Sequence, residues 1–171
     1  MFPERQGLCR TGFTMTMYKL LRNGPSVIRI ASREGDGGCI VSTVRVLVVD
    51  DYEPFRRLVC STLKQRPDLQ VIGEASNGLD AVEKAEEMLP DLIVLDLGLP
   101  ALNGLEAARR IRKLSPESKI LFVTQESSAD VMQEAFSLGA LGYVVKACAG
   151  RDLLAAVDAV CQGKQFVGKN L

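Results

Sequence analysis

From Val44 onward the chain alternates between short apolar runs and longer amphipathic stretches, the pattern of buried strands separated by surface helices. The runs are Val44 to Val49, the weaker Leu69 to Glu74, Leu92 to Leu95, Ile120 to Val123, and Gly142 to Val145. They are short and rich in β-branched residues, as strands covered on both faces of a sheet are. The segments between and after them predict helices over about 54–66, 78–89, 104–114, 128–138 and 150–162. Their ends carry physical markers. Asn77 or Gly78 opens the second helix and Pro90 stops it, Asn103 caps the third, and Ser127 or Ser128 starts the fourth. Gly139 and Gly163 stand where a glycine following the last helical turn belongs.

Five such βα units with right-handed crossovers wind helices onto both faces of one parallel sheet, and the doubly wound order 2-1-3-4-5 is the natural arrangement. In such a sheet a ligand sits beyond the carboxyl ends of the strands, at the switch point between strands 1 and 3. Residues 1–43 show no sustained period and carry the Gly-rich patch Glu34 to Gly38, so they are expected to form a disordered, mobile extension. Ser26 to Ile30 has a strand's composition but no partner to pair with. An upstream-called start codon would account for the segment, and a native N-terminus mapped before Met15 would sink that idea. The expected domain is 44–166, with 167–171 as a tail.

With 47% hydrophobic and 25% charged residues in 171, the chain can bury one core, and it reads as a soluble globular protein. No apolar run approaches the roughly 20 residues that span a bilayer, and Met1 to Arg5 lacks the basic-then-apolar start of a secretory signal, so no membrane association and a cytoplasmic location are expected. Net charge is zero, but six basic and three acidic residues precede Val44, against 15 and 18 from there on. A mildly acidic domain gives no basic footprint for nucleic acid. The five cysteines include no CxxC pair, and the absence of histidine excludes Ser-His and Cys-His nucleophiles as well as the usual zinc sites. Chemistry is left to carboxylates, Lys, Thr or a metal.

The strands themselves say where. The first ends in Asp50-Asp51, the third in Asp96, the fourth in Thr124 and the fifth in Lys146, which puts all five residues at one edge of the sheet. Taken singly each has an ordinary structural reading, as loop residue, helix cap, strand residue or solvated charge. Together, three carboxylates at one site repel one another and call for a cation. Mg²⁺ suits all-oxygen ligands and takes one or two carboxylates with several waters. Asp51 and Asp96 fit as direct ligands, Asp50 acts largely through water, and the Gly98 carbonyl can supply another oxygen.

The stretch from Val44 to about Phe166 resembles a receiver domain, and closely those of the NarL/FixJ (LuxR-type) response regulators. Three blocks carry the resemblance, in order and at suitable spacing: Val46 to Asp51 (VLVVDD), Leu95 to Gly104 (LDLGLPALNG) and Gly139 to Lys146 (GALGYVVK). The resemblance implies a flavodoxin-like (βα)5 fold and no enzyme in the turnover sense, only self-catalysed phosphotransfer and slow dephosphorylation. It implies that Asp96 attacks the phosphohistidine of a partner histidine kinase or phosphotransfer protein to form an aspartyl phosphate with Mg²⁺ bound. The partner supplies the histidine that this chain lacks. Lys146 and the metal then face the charge that develops on the phosphoryl oxygens. Thr124 donates to a phosphate oxygen, and in the family this pull is coupled to an aromatic residue on strand 5, here Tyr143, so that a downstream protein reads the helix 4 to helix 5 face. Tyr143 also has the plain reading of half-buried strand packing.

Two positions depart from the common pattern: Gln125 where many receivers carry a small residue, and Ala147 where many carry proline. Gln125 is expected to shield the aspartyl phosphate and slow its loss. NarL/FixJ-type proteins usually continue into a helix-turn-helix domain, whereas after Gly163 only eight residues remain. A stand-alone receiver is the favoured expectation, without a DNA-binding domain in this chain. The remnant of a DNA-binding transcriptional regulator is its rival, and an Mg²⁺-dependent phosphatase with an aspartyl nucleophile a more distant one, since such enzymes place a DxD motif after the first strand. Homodimerisation is left open.

Overall fold

The computed structural model describes residues 43–168, and expectations for 1–42 and 169–171 lie outside the described residues. Among the described residues six parallel strands form one sheet: β1 (Val44–Val49), β2 (Leu69–Ala75), β3 (Leu92–Leu95), β4 (Lys119–Thr124), β5 (Gly142–Val145) and β6 (Phe166–Val167). Their order is β2-β1-β3-β4-β5-β6, the expected doubly wound arrangement with one strand added at its end. Five helices connect or follow them: α1 (Glu53–Leu63), α2 (Gly78–Met88), α3 (Gly104–Leu114), α4 (Ala129–Ser137) and α5 (Ala149–Cys161).

The strand period of two sorts the core into halves. Val46, Val48, Val94, Leu121, Val123 and Val144 face the side covered by α1 and α5. Leu47, Val49, Ile93, Leu95, Phe122 and Tyr143 face the side covered by α2, α3 and α4. β1, β3 and β4 are therefore buried on both faces, which is why their sequences run apolar without alternation.

Local chemistry sets most helix ends. Asn77 accepts a hydrogen bond from the Asp80 amide and Asn103 from the Glu106 amide, each at 2.9 Å, so both act as N-caps. Gly139 and Gly163 take the positive φ expected of them, 89° and 74°. Three details differ from expectation. α1 ends at Leu63 rather than near 66, the chain turning through Lys64 to Arg66 instead. α2 is stopped by Leu89 in the left-handed region (φ 46°), one residue ahead of Pro90. β6 straddles the expected domain end at 166: it pairs with β5, and the amides of Phe166 and Gly168 donate to Leu141 and Tyr143 carbonyls at 2.9 Å.

Candidate functional site: an acidic cleft at the carboxyl edge

The parallel register brings the strand ends level. Val49 pairs with Leu95, and Leu95 with Phe122, so Asp50 and Asp51 follow β1 beside Asp96 after β3. One ligand oxygen from each of Asp50, Asp51 and Asp96 lies within 4.8 Å of the others. Asp51, Asp96, Gly98, Thr124, Gln125 and Lys146 line a single cleft of about 630 Å³. Six of the residues expected at the site are thus brought together around it, with Asp50 buried beneath at 3% exposure.

Lys146 is the cation among these acids. It begins a single 3-10 turn, Lys146–Cys148, directly after β5. Its Nζ donates to Asp96 Oδ2 at 2.8 Å and lies 2.7 Å from Asp50 Oδ2. It also sits 4.8 Å from the centre of the Phe55 ring, which gives its face to the ammonium. Burial works against the charge on Lys146, but the hydrogen bonds to Asp50 and Asp96 outweigh it and raise its pKa.

Asp50 feels the same surroundings with the opposite sign. Burial, aided by the negative charge of Asp96, holds its pKa above the ordinary carboxylate value, although Lys146 and the Tyr52 amide pull it down. Its Oδ1 accepts the Tyr52 amide at 3.0 Å, so both oxygens have protein partners. Asp96 is likewise held at two points, Oδ1 accepting the Leu97 amide at 2.7 Å and Oδ2 the lysine. Asp51 is exposed at the rim.

Three clustered carboxylates against one ammonium leave an excess of negative charge that a divalent cation would neutralise, and the donors are all oxygen. The residues present therefore fit Mg²⁺. Gly98 borders the same cleft, and a Cβ built there would lie 3.7 Å from Asp96 Oδ2.

Thr124 closes the far side, 2% exposed at the end of β4. Tyr143 lies behind the cleft rather than in its lining. It is fully buried, not half-buried as the plain packing reading had it, and its hydroxyl donates to the Glu126 carbonyl at 3.0 Å. Burial first, then the charges of Glu126 and Asp96, push its phenol up to about 12. The loop after β4 thus touches Thr124 and Tyr143 alike.

The sequence reading missed Phe55, Tyr52 and Glu126. Phe55 is one apolar position on an amphipathic helix, and nothing in its spacing aims it at a lysine 91 positions later. Tyr52 carried a readable signal, a large aromatic directly after two acids, and it borders the cleft at 61% exposure. Glu126 could have been found as the acid just ahead of a helix start.

Comparison with known proteins identifies the family of the fold. Residues 46–158 match the response regulator receiver domain. The nitrate/nitrite response regulator protein NarL of Escherichia coli is 35% identical over 126 residues, 74% of this chain and 58% of its own length. The response regulator protein VraR of Staphylococcus aureus is 34% identical over 122 residues, 71% of this chain and again 58% of its own. A solved two-component response regulator of the LuxR family from Aurantimonas sp. superposes with a TM-score of 0.72 at 32% identity, covering 75% of this chain and 92% of that one. The chain spans a little under three fifths of the curated relatives' length. With a receiver match over most of its length, the doubly wound sheet and relatives of the NarL and LuxR type, the chain belongs to the response regulator receiver domain family.

Proposed function

We propose that the chain is a phosphorylation-driven signalling switch in which Asp96 accepts a phosphoryl group from a partner histidine kinase or phosphotransfer protein. The observation that carries this reading is Asp96 itself: a nearly buried carboxylate held by Lys146 at 2.8 Å, within reach of two further acids, at the edge of an open cleft. A carboxylate oxygen forms the new O–P bond as the P–N bond of the partner's phosphohistidine breaks, and the electron pair returns to the partner imidazole.

Asp51, Asp96 and the Gly98 carbonyl would hold Mg²⁺, with Asp50 acting through water. The metal supplies charge neutralisation at the phosphoryl oxygens. Lys146 supplies a second positive charge fixed in advance, and Thr124 a hydroxyl for a phosphoryl oxygen. Tyr143 completes the switch from behind the loop. A downstream protein would read the α4, β5 and α5 face. The chain acts on its own aspartate instead of turning over a substrate, and the cytoplasm, where kinases present phosphohistidine, is its proposed place of action.

Incubation with acetyl phosphate and Mg²⁺ followed by intact-mass analysis tests the reading. One phosphate adduct is expected on the wild type and none on Asp96→Asn; adducts on both, or on neither, overturn it. In the same assay Gln125→Ala is expected to shorten the adduct's lifetime, since the Gln125 side chain borders the cleft that water must enter.

A further inference from the structure

The segment from Thr124 to Ser128 is bound together by one residue. The Glu126 amide donates to Thr124 Oγ1 at 3.2 Å, and the Glu126 carbonyl accepts the Tyr143 hydroxyl at 3.0 Å. Its side chain points the other way along the chain: Oε1 accepts the amides of Ser127 at 3.0 Å and Ser128 at 2.9 Å. Ser128 is the N-cap of α4 by position, yet its own hydroxyl makes no capping bond. The carboxylate therefore orders the two amides that lead into α4.

One side-chain oxygen accepts two successive amides, a task its lone pairs allow in a carboxylate or a carboxamide alike. Glu126 is exposed, so no core packing fixes its rotamer. These local hydrogen bonds do. While the side chain bonds Ser127 and Ser128, the backbone amide and carbonyl of the same residue meet Thr124 and Tyr143. Thr124 oxygen then serves as acceptor toward the loop, and its single hydroxyl proton stays available for the cleft.

We propose that Glu126 is a positioning residue whose carboxylate, by bonding the amides at the start of α4, holds the loop that orients Thr124 and Tyr143 for phosphotransfer to Asp96. This rests on the proposed function for its consequence but not for its geometry. It also differs from a simpler role for an acid at a cleft rim, repulsion of an anionic donor. Bonding needs an acceptor oxygen, which glutamine retains; repulsion needs a charge, which glutamine lacks.

Two variants and two readouts separate these. Hydrogen exchange of the peptide covering residues 125–137 should quicken by about 5- to 30-fold at its first amides in Glu126→Ala, the factor expected for one or two lost hydrogen bonds. Glu126→Gln should stay close to the wild type. The rate of Asp96 labelling by acetyl phosphate should change several-fold in the alanine variant and within about twofold in the glutamine variant, on the same scale of effects.

Unchanged exchange in Glu126→Ala would overturn the proposal. So would altered exchange with an unaltered labelling rate, because a purely structural brace would behave that way. Glutamine behaving as alanine does, in both readouts, would assign the effect to charge and also overturn it. Failure of the wild type to be labelled would instead strike at the role of Asp96, and the exchange measurement would still decide what the carboxylate holds.

Discussion

At the scale of single residues, burial governs the polar groups that lie beneath and behind the cleft, Asp50 and Tyr143. Tyr143 heads the fully buried side chains by volume, packs 6.4 Å from the Phe122 ring centre, and keeps one polar atom that must be satisfied. The Glu126 carbonyl satisfies it. Because the folded phenol is pushed from 10 up to about 12, the folded chain holds this proton more tightly than the unfolded chain does. The stability tied to neutral Tyr143 is therefore fully present below pH 10 and is lost as pH rises through about 12. Alkaline unfolding of Tyr143→Phe should be flatter over that window than in the wild type, although the variant gives up about 1 kcal/mol near neutrality with the lost hydrogen bond. An unchanged alkaline slope would show that Tyr143 does not carry this dependence. Cys60 obeys the same rule, its thiol pushed up to about 11, first by burial and then by the charge of Glu74.

At the scale of elements, the loop between β3 and α3 does most to place the acceptor. Gly104 opens α3 against the backbone of Asp96: a Cβ there would come within 2.1 Å of the Asp96 carbonyl oxygen. Its amide donates to Leu97 at 3.0 Å, closing the loop on itself. Inside the loop Ala101 stands at φ 64°, a conformation costing an L-residue roughly 1–2 kcal/mol. Ala101→Gly should relieve that strain and raise stability by up to about 1 kcal/mol, the remainder being offset by the greater freedom of glycine in the unfolded chain. A urea midpoint that falls instead would locate the strain elsewhere. Helix boundaries were legible to the extent that they are local: Asn77 and Asn103 announce their caps because the bond spans three residues. Ser128 does stand at the start of α4, as expected, but the amides there are held by the carboxylate of Glu126, two residues ahead, and not by a serine hydroxyl. β6 was not legible at all, since two residues carry no period and exist as a strand only by pairing with β5.

At the scale of the whole molecule, two apolar layers clamp the sheet, and the acidic cleft lies outside both. The fold should therefore stand without metal, while the cleft should still gain from it. Mg²⁺ at one hundred times its dissociation constant should stabilise the native state by about 2.7 kcal/mol, read as a rise in the thermal midpoint that EDTA reverses. Asp51→Asn should abolish most of that rise and leave the metal-free midpoint nearly unchanged, since Asp51 is exposed at the rim. A full Mg²⁺ response in this variant would remove Asp51 from the ligand set. Sequence alone determined the first five strands, their doubly wound order and the identity of the polar residues that follow β1, β3, β4 and β5, because strand burial imposes an apolar run that stops where the chain turns polar. Only the tertiary structure decided how those ends are charged and tied. The ammonium of Lys146 shared between Asp50 and Asp96, the ring of Phe55 beside it, and the Glu126 carbonyl over Tyr143 join residues from different βα units. Such contacts leave no period in the chain, because they depend on distance in space and not on spacing in sequence.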